Sequence, residues 1–233
     1  MKQQRIAEQA RAYHRGVSYA SDERAALCAL LDETGPDAPT LCEGWRTADL
    51  AAHLVLRERR PDAAAGLLGG PLAGHARRMN ETLSRQTPFP RLVELIRSGP
   101  PPLSVFRLPG MDERLNMVEF FVHHEDVRRG ADGWQPRDLK DGLADALWQR
   151  LRGSRLLFRR SPVGVELARD DLTADPGERQ VRMTARARTP VVTVTGHPAE
   201  LTMWALGRTG AAQVRLDGNA DAVRELSTAR RRV

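Results

Sequence analysis

The sequence predicts an α+β protein, with a helical N-terminal part followed by a small α+β part. Two observations carry this expectation. Apolar residues recur at helical spacing through roughly residue 158. Near Pro162 the composition changes to short β-prone runs separated by turn residues. A chain of 233 residues is long enough for one large domain or two small ones. The change in pattern places the boundary at 158/159, giving a helical domain over 1–158 and a small α+β domain over 159–233.

The elements follow in order. Residues 4–33 read as a helix, with Ile6, Tyr13, Val17, Ala20, Leu27, Leu30 and Leu31 near helical spacing and Gly35-Pro36 ending it. Residues 39–45 form a loop. Thr47 then suits an N-cap, and Asp49 in the first turn suits the helix dipole. The helix over 48–60 carries Leu50, His53, Leu54 and Arg57 on one stripe. Pro61 and Gly69-Gly70-Pro71 interrupt the pattern. Helical pieces at 72–84 and 89–97 follow, and Gly99-Pro100-Pro101-Pro102 makes a rigid connector. A helix over 111–129 comes next, with Gly130 as its C-terminal cap. The last long helix runs over 139–158. Strands are expected over 163–168, 181–187, 191–195 and 214–217, with a turn at Asp175-Pro176-Gly177-Glu178. Short helices occupy 199–207 and 220–226. No internal repeat or low-complexity segment is present.

Composition excludes several classes. Hydrophobic residues make up 41% and charged residues 28%, an ordinary balance for a globular protein. Lys plus Arg is 36 against 30 for Asp plus Glu, a net charge of +6, and only Lys2 and Lys140 are lysines. The arginines are dispersed among acids and form no stripe, which argues against nucleic acid. The terminal Arg230, Arg231 and Arg232 read as a solvated end. Cys28 and Cys42 have no CxxC partner, so the sequence expects neither a thiolate metal site nor a disulfide framework. The first sixteen residues lack the apolar segment of a signal peptide, and no run approaches the ~18 apolar residues of a membrane span. A cytoplasmic protein is expected, monomeric or homodimeric, acting on a small molecule.

One stretch stands out chemically. Residues 116–129, NMVEFFVHHEDVRR, pack Glu119, His123, His124, Glu125 and Asp126 into what otherwise reads as a core helix. Glu119 and His123 are four apart and share one face, alongside Leu115, Val118 and Val122. A carboxylate and an imidazole directed into apolar surroundings call for compensation, and a metal ion supplies it. The inward polar residues of the helical part are few: His53 on one helix, Glu119 and His123 on another. Four main helices with long connections suggest a four-helix bundle with a crossover, whose core suits metals held by facing helices. His53, Glu119 and His123 together give three protein ligands, the number that leaves a zinc ion one open position. Nickel or iron would accept the same donors.

The segments TLCEGWRTADLAAHL (40–54), VEFFVHHEDVRR and TPVVTVTGHPAELTMWALGR resemble the mycothiol-dependent maleylpyruvate isomerase group within the DinB-like bundle superfamily. The resemblance covers nearly the whole chain. It implies a DinB-like four-helix bundle with a second, small α+β domain. It further implies a divalent metal, usually zinc, on residues in the positions of His53, Glu119 and His123. In that group the ion holds the thiol of mycothiol as the nucleophilic thiolate. Addition to an activated double bond, rotation and elimination make an isomerase; release of the adduct makes a transferase.

Other residues receive lesser roles. His124 faces about 100° away from His123 and reads as an interhelical contact. Asp126, nearly on the face of His123, suits orienting its imidazole. Arg57 suits an anionic substrate or a balance for Asp126. Trp45 packs the loop against the bundle, Cys42 reads as a small buried residue, and Arg128 and Arg129 suit the helix dipole. His14, His75 and His197 have no assigned partner, and no residue is assigned as general acid or base. The functional expectation is a metal-dependent mycothiol transferase or isomerase acting on a small electrophile; the alternative is a non-catalytic metal-binding or interaction protein on the same bundle.

Overall fold

A computed structural model of the chain describes residues 18–60, 70–102, 104–108, 110–172 and 181–230. Residues 4–17 of the expected helix over 4–33, Pro61, Gly69, the turn at 175–178, Arg231 and Arg232 lie outside the described residues, and so does His14. The described part is α+β: eight α-helices and one four-stranded sheet. It divides into two compact units, Met1–Gln135 and Pro136–Val233. No helix among the described residues is long and apolar enough to cross a membrane.

Among the described residues, the first unit holds five helices. Helix α1 (Tyr19–Thr34) starts where Ser18 Oγ accepts the Ser21 N–H at 3.3 Å, and ends at Gly35 with φ of 75°. Helix α2 (Thr47–Arg59) has Arg46 as its N-cap, one residue ahead of the expected Thr47. Asp49 Oδ2 accepts the Arg46 N–H at 3.0 Å, and the Thr47 hydroxyl instead donates to the Gly35 carbonyl, tying the two helix ends together. Helices α3 (Ala73–Gln86) and α4 (Phe89–Arg97) follow, with Pro90 in the first turn of α4, where a missing N–H costs nothing. Helix α5 (Met111–Arg128) is the longest among the described residues.

Helix α1 packs on α4 and α5, and α2 packs on α3 and α4. Leu27, Leu31, Leu50, Leu54, Leu92, Ile96 and Phe120 form the core between them. That core also contains charge. Arg24 of α1 donates to both oxygens of Glu58 on α2 at 2.8 and 2.7 Å, and to Asp112 Oδ1 on α5 at 2.9 Å. Its guanidinium lies 4.2 Å from the centre of the Phe120 ring. Asn116 Nδ2 donates to the same Glu58 at 2.9 Å and to Asp112 at 2.6 Å. Every charge in this group is paired and hydrogen-bonded, which is what its burial requires.

The second unit opens with helix α6 (Leu143–Leu151). The expected single helix over 139–158 is two pieces, since the chain leaves α6 after Leu151 and resumes as a short 3-10 turn, Ser154–Phe158. Trp148 and Leu151 of α6 join Val165, Leu167, Val192, Val194, Leu201 and Trp204 in one core, so this helix belongs with the sheet. The compact units accordingly divide at Gln135/Pro136, ahead of the boundary expected near 158. The sheet order is β2-β1-β3-β4, from β1 (Gly164–Arg169), β2 (Arg182–Arg186), β3 (Val191–Gly196) and β4 (Arg215–Asp217). Strands β1 and β3 are parallel; β2 and β4 run antiparallel to their neighbours. Helices α7 (Pro198–Ala205) and α8 (Ala220–Arg230) complete the unit. His197 caps α7, its Nδ1 accepting the Ala199 N–H at 3.2 Å, so it has a structural partner.

Candidate metal centre

Three residues from two helices converge in the first unit. His53 lies in the middle of α2, directed inward with Leu50 and Leu54. Glu119 and His123 lie one turn apart on α5. His53 Nε2 is 3.2 Å from Glu119 Oε1, and His123 Nε2 is 3.3 Å from the same oxygen. The two imidazole rings meet edge to face, with centroids 5.1 Å apart. All three donor atoms lie within 4.8 Å of one another. The side chains of His53, His123 and Glu119 are 12%, 9% and 27% exposed, so the carboxylate side of the cluster is the open one.

This donor set fits a divalent ion. Tetrahedral ligands held at ~2.0 Å stand about 3.3 Å apart, and both nitrogen–oxygen separations match that spacing. His53 Nδ1, by contrast, is buried and has no hydrogen-bond partner. Its ring is bounded instead by Trp45, 5.2 Å away and tilted by 52°.

The groups around the three differ in kind. Asp126 Oδ2 stands 2.9 Å from His123 Nδ1, fully buried, and fixes the ring so that Nε2 faces Glu119. Arg57, one turn beyond His53, does not face Asp126 as a counter-charge. Its Nε is 3.3 Å from Glu119 Oε1, its other nitrogens donate to Asn116 Oδ1 and to the Leu115 carbonyl, and its guanidinium lies over the Phe106 ring. The buried chain Arg24–Glu58–Asn116–Arg57 thus ends at the carboxylate of the cluster. Leu115, expected to be buried, is 40% exposed, and its backbone carbonyl serves Arg57.

The local fold explains why the loop of residues 36–46 comes to this place. The Leu41 N–H donates to the Asp126 carbonyl at 3.0 Å. Gly130, just after α5, is needed for a close approach: a Cβ there would lie 2.3 Å from the Pro39 carbonyl oxygen. Its expected role as a left-handed cap is not used, since Gly130 is not among the glycines with positive φ. Thr40 Oγ1 accepts the Cys42 N–H at 3.2 Å and donates to the Trp45 carbonyl at 3.0 Å. Gly44 takes φ of 74°, a turn that a side chain would strain. The turn delivers Trp45 to His53 and Cys42 Sγ to within 3.3 Å of Asp126 Oδ2.

The electrostatics follow from these contacts. Burial pushes the Glu119 carboxyl upward, but hydrogen bonds from His123 and His53 and the charges of His123 and Arg57 outweigh it and hold the group well below the ordinary carboxylate range. Burial favours neutral His123, yet its bonds to Asp126, Cys42 and Glu119 raise it well above the ordinary histidine value. Burial dominates at His53 and lowers it.

His124 and Glu125 take no part in this convergence. His124 Nδ1 pairs with Glu23 Oε2 of α1 at 3.0 Å, the interhelical contact expected of it. Glu125 holds Arg128 and Arg129, and Arg129 lies over Trp134. His75 is exposed.

Residues 17–102 match the family model described as the mycothiol maleylpyruvate isomerase N-terminal domain. No curated protein and no solved structure matches the chain. The mycothiol maleylpyruvate isomerase N-terminal domain match includes Cys42, Trp45, His53 and Arg57 and ends ahead of Glu119 and His123. One arm of the cluster thus lies inside the matched segment, and the other two are brought to it by the fold of α5.

Proposed function

We propose that the chain is a divalent-metal-dependent enzyme that presents a low-molecular-weight thiol, mycothiol, to a small electrophilic substrate for isomerisation or transfer. The observation that carries this reading is the convergence of both imidazole Nε2 atoms on one Glu119 oxygen at 3.2 and 3.3 Å. His53, Glu119 and His123 would hold the ion, and zinc is an ion that two imidazoles and one carboxylate suit. A bound divalent ion with an open position holds a thiol as its thiolate at neutral pH. Asp126 keeps His123 in the tautomer that presents Nε2, and Arg57 keeps Glu119 turned inward. Trp45 packs against the His53 ring, with centroids 5.2 Å apart. The scaffold is the DinB-like four-helix bundle that the resemblance implies, in a cytoplasmic protein.

The test begins with the full chain purified without chelators. One divalent ion per chain is expected, falling to a small fraction in His123→Ala. Thiol consumption is then followed with mycothiol and a panel of activated double bonds and alkylating electrophiles. Turnover should require both the ion and mycothiol. Absence of metal in the wild type, or full metal content in His123→Ala, would refute the site. Full metal content with no turnover of any thiol–electrophile pair would refute the enzymatic reading and leave a metal-binding protein.

A further inference from the structure

Behind the first cluster lies a second set of donors. The imidazole of His123 has two ends. Its Nε2 meets Glu119; its Nδ1 faces Asp126 Oδ2 at 2.9 Å. That same carboxylate oxygen lies 3.3 Å from Cys42 Sγ. A sulfur, a nitrogen and an oxygen thus lie within 4.8 Å of one another. We propose that Cys42, Asp126 and Nδ1 of His123 form a second metal position, one that takes a thiophilic d10 ion such as Cd2+.

Three features set this position apart from the first. Its donors are one thiol, one imidazole and one carboxylate, whereas the first offers two imidazoles and one carboxylate; a thiolate selects softer ions. Its spacing is near that of bound ligands: donors at 2.0–2.3 Å from an ion stand about 3.3–3.8 Å apart, the Cys42–Asp126 pair already stands at 3.3 Å, and the His123–Asp126 pair must open by a few tenths of an ångström. It also has a route from solvent. Cys42 is half-buried in a turn whose next two residues, Glu43 and Gly44, are exposed. Cys28, the other cysteine, is buried among leucines on α1 and has no such surroundings.

The shared histidine couples the two positions. A neutral imidazole offers one lone pair, on either Nδ1 or Nε2. An ion on Nδ1 leaves the proton on Nε2 and removes a ligand from the first position. Binding at Cys42 releases the thiol proton to solvent and displaces the hydrogen bond between Asp126 and His123. A thiophilic ion at the second position therefore antagonises the ion at the first.

The experiment is titration of the metal-free full chain with Cd2+, read by sulfur-to-cadmium charge-transfer absorption in the ultraviolet. The band is expected in the wild type, in Cys28→Ser and in His53→Ala, and is lost in Cys42→Ser. Cadmium-113 NMR of the unmodified chain gives a readout without mutation: a sulfur-bound resonance separate from any nitrogen–oxygen one. Persistence of the band in Cys42→Ser, or absence of both band and sulfur-bound resonance in the wild type, overturns the proposal. Loss of the band in His53→Ala also overturns it, because Cys42 would then share the ion of the first position. The result is independent of the proposed enzyme activity: a band that survives in His53→Ala supports the second position whether or not the first one binds zinc.

Discussion

At the scale of single residues, the cluster depends most on side chains that touch no ligand position. Asp126 is the clearest. Asp126→Asn keeps the shape and can still accept from His123 Nδ1, but removes the charge that strengthens the imidazole as a donor. Zinc affinity, measured by competition with a chromophoric chelator, is expected to fall about 10–100-fold. Unchanged affinity would show that the carboxylate does not tune the site. The sequence already showed Asp126 on the face of His123, because helical spacing fixes that relation. It did not show that Arg57 turns to Glu119 or that Cys42 reaches Asp126, because both contacts cross between segments distant in the chain. A second residue-scale prediction concerns the other unit. Buried Arg169 holds Asp171 through two bonds, at 2.8 and 2.6 Å, and also holds Asp145. Burial pushes the Asp171 carboxyl up, but the bonds and charge of Arg169 prevail and lower it from the model-compound value of 3.8. A depressed carboxyl contributes stability that is present above its unfolded value and lost as pH falls through the folded one. Asp171→Asn should therefore lower Tm at neutral pH and flatten the decline of Tm below about pH 4. A decline as steep as in the wild type would assign the acid sensitivity to other groups.

At the scale of elements, the helices and strands were legible wherever a local signal marked their ends. The helix at 89–97 coincides with α4, because its apolar spacing and flanking prolines leave one solution. The strand at 191–195 matches β3 to within a residue, since a β-branched run bounded by Pro190 and Gly196 specifies it. The helix expected over 139–158 broke because Gly142 and Gly153 flank a shorter apolar stripe, and a leucine-rich stretch alone does not distinguish an α-helix from a 3-10 turn. Gly130 shows the opposite limit. Its sequence position fits a C-terminal cap, but its role is set by the Pro39 backbone, which no local pattern reveals. Gly130→Ala would place a methyl 2.3 Å from a carbonyl oxygen and 2.7 Å from its carbon, both backbone atoms that cannot rotate away. The loop of residues 36–46 must shift, at a cost of about 1–3 kcal/mol in urea unfolding. The same shift draws Trp45 from His53 and Cys42 from Asp126, so zinc affinity should drop together with stability. A variant as stable as the wild type would mean that the loop has slack the close contact does not suggest.

At the scale of the whole molecule, the α+β class was legible because hydrophobic period changes from helical to alternating near Pro162, and period is a property of sequence alone. Where the chain divides was less legible, because the division depends on which core a helix joins. Trp148 and Leu151 could face either neighbour on pattern grounds, and they join the sheet. The consequence is functional. His53, Glu119 and His123, with Asp126, Arg57, Trp45 and Cys42, all lie in the unit Met1–Gln135, which has its own core of Leu27, Leu31, Leu50, Leu54, Leu92 and Phe120. The second unit has a separate core and supplies none of these groups. A unit that buries its own apolar face and holds its own ligands has what it needs to fold and bind alone. A fragment ending at Gln135 is therefore expected to give a helical circular-dichroism spectrum and to bind one zinc ion with the affinity of the full chain, within about threefold given the ±0.5 kcal/mol typical of remote changes. Thiol–electrophile turnover in the same fragment then separates two roles for residues 136–233. Full turnover would place the whole reaction in the first unit. Retained zinc with lost turnover would assign substrate contacts to the second. A folded fragment that fails to bind zinc would refute the assignment of a complete ligand set to the first unit.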